Sequence, residues 1–183
     1  MILPLLVSLL SAAISLATAG CGNPDGTGSH LVFQNCNGND AIKIDLVAVQ
    51  FANGAPDYPV DLSKPITLLA DSTNTGSKTY RAIAVDVSLA HYSKVLGLFG
   101  SCKWRTIPTL GLLNNLHQCG NCPIKPGKVH LKQSVNLASF NPIIRTLAGG
   151  DSYKLTVKIK NDNDGSRAGA EEIECIVVES KIQ

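Results

Sequence analysis

Acidic residues are missing from the middle of this chain. None occurs between Asp86 and Asp151. Aromatics are scarce as well: four Phe, four Tyr and one Trp make up 5% of the 183 residues. So few rings leave little for bases to stack on, which argues against a nucleic-acid partner. No Gly-x-Ser-x-Gly, His-Glu-x-x-His or phosphate-binding loop is present, so the sequence signatures of a serine hydrolase elbow, a zinc protease and a nucleotidase are absent. His30, His91, His117 and His130 are scattered. Glu171, Glu172 and Glu174 read as the wet edge of a strand, not as a glycosidase pair. The expectation is therefore a non-enzyme without cofactor or metal; a catalytic group would have to be assembled in space from residues distant in sequence. No Asn-x-Ser/Thr sequon occurs, so N-glycosylation is not expected.

The first 19 residues carry no charged side chain and end Ala17-Thr18-Ala19. This reads as a signal peptide over 1–19 and predicts a secreted protein, extracellular or in the endosomal and lysosomal lumen. Lipidation at Cys21, after Ala19-Gly20, is the rival reading. It would want a basic start and an aliphatic residue in place of Thr18. No later stretch approaches 18 uncharged apolar residues, so no membrane span is expected beyond the leader. Residues 20–30 read as a flexible lead-in, and 31–183 as a single domain.

Six cysteines follow: Cys21, Cys36, Cys102, Cys119, Cys122 and Cys175. An even count on a secretory route implies disulfides, with 15 connectivities open. Zinc held by Cys102, His117, Cys119 and Cys122 would lack the second Cys-x-x-Cys of a ribbon. A redox centre at Cys119–Cys122 would want a helix after the first cysteine, and Pro123 and Pro126 stand against one.

Two-residue alternation dominates the rest. Tyr153, Leu155, Val157 and Ile159 alternate with Lys154, Thr156, Lys158 and Lys160; Ile83, Val85, Val87 and Leu89 alternate with Ala84, Asp86 and Ser88. Similar runs start at Ile42, Val129 and Ile173, and shorter ones cover Leu31–Cys36 and Ile66–Ala70. Such runs, separated by turn residues, predict an all-β sandwich or cup of seven to eight antiparallel strands, immunoglobulin-like in layout. Asn161–Gly165 should link two of them as a hairpin. It fails as a calcium loop, since Arg167 stands where Gly is required. Only Ile107–His117 suggests a helix, kept short by Pro108 and Gly111.

The acid-free stretch holds Lys94, Lys103, Arg105, Lys125, Lys128, Lys132 and Arg145. Either this is an ordinary solvated surface, or it is a face that attracts anionic headgroups, more strongly at endosomal pH as His91, His117 and His130 charge. Within it, Leu96, Leu98 and Phe99 lie among glycines, followed by Trp104. They are either core or an apolar rim at a membrane or ligand entrance.

Four segments, in order, resemble the ganglioside GM2 activator branch of the MD-2-related lipid-recognition family. They are Phe33-Gln-Asn-Cys36, Gly-Leu-Phe-Gly-Ser-Cys102, Cys119-Gly-Asn-Cys-Pro-Ile-Lys-Pro-Gly127 and Ile173-Glu-Cys-Ile-Val-Val178. The resemblance spans about Leu31 to Ile182. It implies a β-cup with an apolar cavity between splayed sheets, a lipid or glycolipid ligand drawn from a membrane, and presentation to a hydrolase such as a lysosomal glycosidase. It further implies a Cys36–Cys175 disulfide and points to Cys102–Cys122, leaving Cys21 and Cys119 to pair or stay free. Two departures stand out: the vertebrate activator has four disulfides where this chain can form at most three, and the Cys102–Cys119 stretch looks shorter than its counterpart.

On this reading Ile83, Val85, Val87 and Leu89 should line the cavity from one sheet, and Leu155, Val157 and Ile159 from the other. Cys175 should point inward with Ile173 and Val177. Leu96, Leu98, Phe99 and Trp104 are the candidate entrance loop. Lys94, Lys103, Arg105, Lys125, Lys128 and Lys132 are the candidate contacts to an anionic membrane. Two other readings use the same strands: a lipid-sensing accessory to a cell-surface receptor, and an adhesion module with a filled core.

Overall fold

The computed structural model describes residues 21–36, 40–51, 53–56, 58–61, 63–94, 100–117, 119–135, 151–165 and 170–183, with the backbone alone for 133–135. Among the described residues eight strands form two antiparallel sheets. They are β1 (Val32–Asn35), β2 (Ile42–Phe51), β3 (Ile66–Asn74), β4 (Ile83–Lys94), β5 (Cys102–Ile107), β6 (Gly127–Val135), β7 (Ser152–Asn161) and β8 (Glu172–Lys181). The larger sheet has the order β1-β8-β7-β4-β5, the smaller β2-β3-β6. β2 lies against β1 and β8, so the sheets meet along that side. β5 and β6 are edge strands of their sheets. The all-β sandwich expected from the alternation is thus what the chain forms, and the 161–165 turn does lead from β7 towards β8.

Two expectations are corrected. Ile107–His117 is not helical; it is an irregular turn that returns to the larger sheet, where Val87 N donates to Leu113 O and Leu116 bridges to Val85. Its leucines have near-helical spacing, but Pro108 lacks an amide to donate, and the left-handed backbone at Leu110 (φ 51°) and Gly111 (φ 76°) breaks any helix there. Nor do β4 and β7 face each other. They are neighbours in one sheet, with Val85 opposite Ile159, Val87 opposite Val157 and Leu89 opposite Leu155. Alternation reports which residues share a face, not which sheet the strand joins.

Two bulges set the inner faces. In β2 the extra residue is Asp45, so Ile42 and Ile44 face inward before it and Val47, Val49 and Phe51 after it. In β8 the extra residue is Ile173, placed beside Glu174 opposite Ile159. From there Ile176 and Val178 share the inner face, while Cys175 lies opposite Lys158 on the outer one. The inward orientation expected for Cys175 is therefore reversed, because the bulge resets the alternation it was read from. Cys175 is nonetheless buried.

Three disulfides join the cysteines: Cys36–Cys175, Cys21–Cys102 and Cys119–Cys122. The first is the pair the resemblance implied. Cys102–Cys122 is not formed. Cys119 and Cys122 flank one tight turn with their Cα atoms 5.5 Å apart, while Cys102 opens the edge strand β5 within reach of Cys21. The 21–30 segment, expected as a lead-in, makes contacts with the domain. Thr27 is fully buried, with its Oγ1 2.9 Å from Ser152 Oγ, and Tyr58 donates its hydroxyl proton to the Thr27 carbonyl.

Candidate functional site

The inner faces divide into three levels. At the base, Ile42, Ile44, Tyr80, Ile83, Ile124, Ile159, Ile173 and Ile176 form a buried cluster. Tyr80 and Ile124 clamp it shut by reciprocal backbone hydrogen bonds of 3.0 and 2.8 Å, and the Cys119–Cys122 turn packs against it. At the opposite end Val60, Ile66, Leu89, Tyr153 and Ile182 make a second, separate cluster. Between the two, the inward aliphatic residues are only half-buried: Val85, Val87, Leu155 and Val157 on the larger sheet, Val47 and Val49 on the smaller. Leu68 decides the point. It lies on the inner face of the central strand of the smaller sheet, opposite Val49, and is 36% exposed. Sheets packed face to face at about 10 Å would bury such a residue. The middle of the inner faces is therefore incompletely packed around Leu68, which makes it the candidate for an apolar cleft between the two clusters. Val87 and Leu68 pack into neither cluster.

The candidate cleft lies between β4 and β7 of the larger sheet and β2 and β3 of the smaller. Among the expected lining residues, Ile83, Ile159 and Leu89 are parts of the end clusters; Val85 and Val157 pack half-buried against the base cluster and Leu155 against the other, and Val87 belongs to neither. Val47, Val49 and Leu68 were not named in advance. Their alternation was visible, but the Asp45 bulge hides the face on which it closes.

One inner-face group is polar and unexpected. Glu174 was read as a surface residue, yet it is 0% exposed, and neither carboxylate oxygen has a hydrogen-bond partner among the described residues. Burial, helped by the neighbouring charges of Asp40 and Glu172, pushes its pKa up to about 8, against a weaker pull from the Cys175 backbone. The group is held neutral at acidic and neutral pH.

The basic residues do not gather on one surface. Lys103 and Arg105 are exposed on β5, opposite Ser93 and His91, with Lys94 beside them opposite Cys102. Lys125 and Lys128 lie at the base, and Lys132 is on the outer face of the smaller sheet opposite Leu69. The three central-block histidines each meet a carboxylate, in three separate places: His91 with Asp151 (3.1 Å), His117 with Asp162 (3.2 Å) and His130 with Asp71 (2.7 Å). Trp104 is half-buried on the outer face of β5, tilted against Tyr92 and with Lys154 Nζ 4.4 Å from its ring centre. Leu96, Leu98 and Phe99 lie outside the described residues, as does Arg145. A shallow groove of about 450 Å³ opens at the far end of β2 and β3, lined by Phe51, Asn53, Lys64 and Pro65.

No family model matches the sequence, and neither does any curated protein. Among solved structures, a Niemann-Pick type C2 protein from the Japanese carpenter ant is similar over 83% of this chain and 99% of its own, with 15% identity and a TM-score of 0.44. The C-terminal domain of wzt is similar over 85% and 79%, with 11% identity and a TM-score of 0.43. Neither likeness carries a function to this chain. What the fold defines is a two-sheet antiparallel β-sandwich whose inner faces are aliphatic and half-buried at mid-height.

Proposed function

We propose that the protein binds a lipid in the cleft and transfers it, lifting it from a membrane and presenting it as a GM2 activator does. The observation that carries this is the half-exposed aliphatic middle of the inner faces, centred on Val87 and Leu68. A protein gains nothing from leaving such side chains in water, and an acyl chain recovers about 0.8 kcal/mol for each CH₂ it buries there. Aliphatic walls without aromatic rings accept chains of varied shape. The segments that resemble the activator family support the same reading, as do three disulfides, which suit an oxidising secretory or lysosomal lumen. A glycolipid ligand and a partner glycosidase follow from the resemblance alone.

The test is native mass spectrometry of the purified protein, with lipids identified in its organic extract. Wild type should carry lipid. Val87→Trp, which pushes an indole into the middle of the cleft, should lose most of it while melting within a few degrees of wild type. Equal lipid stoichiometry in the folded variant would count against the cleft as the binding site, and a wild type free of lipid would favour the filled adhesion module.

A further inference from the structure

The turn that follows β5 presents two leucines to solvent. Leu110 is 89% exposed and Leu112 is 52% exposed, on either side of Gly111. Neither is floppy in principle: Leu112 N donates to Thr109 O at 2.9 Å and Asn114 N to Gly111 O at 3.2 Å, while Leu113 and Leu116 anchor the far side of the turn to β4. Leu110 itself has a left-handed backbone, uncommon for a residue with a branched side chain, so the turn holds it outward. The turn is therefore a fixed apolar knob on the β5 side of the larger sheet.

Its surroundings give the knob a sign. Lys103 and Arg105 stand exposed on the strand that leads into it, no acidic residue occurs in the sequence from 87 to 150, and two carboxylates that reach this side from outside that stretch each meet a histidine, Asp151 with His91 opposite Arg105 and Asp162 with His117. The nearest carboxylate before the stretch, Asp86, is engaged by Lys160 and by the Asn115 amide. Apolar tip and basic shoulder together match the two halves of an anionic bilayer surface: the leucines reach the acyl boundary while the cations meet headgroup phosphates or carboxylates.

We propose that the Thr109–Leu112 turn, with Lys103 and Arg105, docks the protein on anionic membranes. The occupant is a lipid bilayer surface, not a protein groove. The inference rests on the lipid-transfer reading for its purpose, but not for its physics, since docking does not need an occupied cleft. It also places membrane contact on a described element distinct from the 95–99 segment.

Co-sedimentation of the full chain with vesicles of pure phosphatidylcholine, and with vesicles containing about one-third phosphatidylserine, tests it. Wild type should prefer the anionic vesicles, and raising salt from 0.1 to 0.5 M should weaken binding several-fold. Leu110→Ser/Leu112→Ser should bind them roughly tenfold or more weakly, because two leucines no longer gain from leaving water. Lys103→Ser/Arg105→Ser should lose the anionic preference but keep residual binding. Both pairs are exposed, so folding is checked by an unchanged melting temperature. As a second readout, Leu110→Trp in a Trp104→Phe background should show emission quenched by brominated lipid. Wild-type binding by the leucine double variant would overturn the proposal, and so would a wild type that binds neither vesicle, which would leave the knob to a protein partner. Lipid content measured on the same samples separates the two readings. A leucine variant that keeps its bound lipid but does not dock supports the knob whatever Val87→Trp does. A wild type that docks without carrying lipid sinks the transfer reading and leaves the knob standing.

Discussion

Removing the Cys36–Cys175 disulfide by Cys36→Ala/Cys175→Ala should cost about 5 kcal/mol of stability, the largest effect of any crosslink here. The bond joins residues 139 apart in sequence, and in the chain-entropy account the cost of unlinking grows with the logarithm of that loop. The native geometry is already set without the sulfurs, since Cys36 N donates to Cys175 O at 2.7 Å, so the link constrains the unfolded chain more than it shapes the folded one. The same account gives about 4.5 kcal/mol for Cys21–Cys102, at a separation of 81, and no more than about 2 kcal/mol for Cys119–Cys122, at a separation of 3. For a domain of this size 5 kcal/mol corresponds to a drop of roughly 10–20 °C in melting temperature. Thermal unfolding of the three double variants, with non-reducing peptide maps to verify each pairing, should reproduce that order. A loss under about 1 kcal/mol for the Cys36–Cys175 pair would refute the argument.

Stability should also fall as pH rises from about 4.5 to about 8, and Glu174 should be the main reason. In the unfolded chain its carboxyl loses a proton near 4.5; in the folded protein it holds that proton to about 8. Between those values unfolding releases a proton, so each added pH unit favours the unfolded state by about 1.4 kcal/mol, and the whole span by roughly 4 kcal/mol. The contribution is fully present below 4.5 and gone above 8. Two aspartates act in the opposite sense. Asp61, hydrogen-bonded by Lys64 and Ser63, has a lowered pKa; Asp86, which burial pushes up, is pulled further down by Lys160 and the Asn115 amide. Their contribution is lost as pH falls through their folded values. The optimum should therefore lie in mild acid. Glu174→Gln keeps the shape without the proton. It should match wild type within about 1 kcal/mol at pH 5 and exceed it by about 3 kcal/mol at pH 8, in urea unfolding. Parallel pH slopes for the two proteins would show that the proton resides elsewhere.

Much of the architecture was legible because burial in a sandwich writes itself as alternation. Ile83–Leu89 and Tyr153–Ile159 show it cleanly, and seven of the eight strands follow from such runs. β5 was hidden because it breaks the pattern: its face shared with Leu89 and His91 carries Lys103 and Arg105, and its other face carries Cys102 and Trp104. An edge strand need not be dry on either side. The inner faces were only partly legible. Val85, Val87, Leu155 and Val157 could be named, but spacing does not say that β4 and β7 share one sheet, nor that a single extra residue at Asp45 or Ile173 moves the next side chains to the opposite face. Glu174 was read as wet for the same reason: its neighbours Glu171 and Glu172 are exposed or half-buried, and only the bulge turns it inward.

Among the described residues β1 pairs with no strand of its own sheet except β8, the last of the eight strands in chain order. A chain made from its N-terminus at about 5–20 residues per second must therefore carry β1 unpaired until β8 has been synthesised. The smaller sheet has no such wait. β2, β3 and β6 are complete before β7 has begun, and can assemble as a platform. The larger sheet then closes around it from the C-terminal side, with the Cys36–Cys175 disulfide as its final stitch. Such long-range pairing is slow. Truncations that remove β8 should leave β1 as an open, aggregation-prone edge instead of yielding a smaller folded domain.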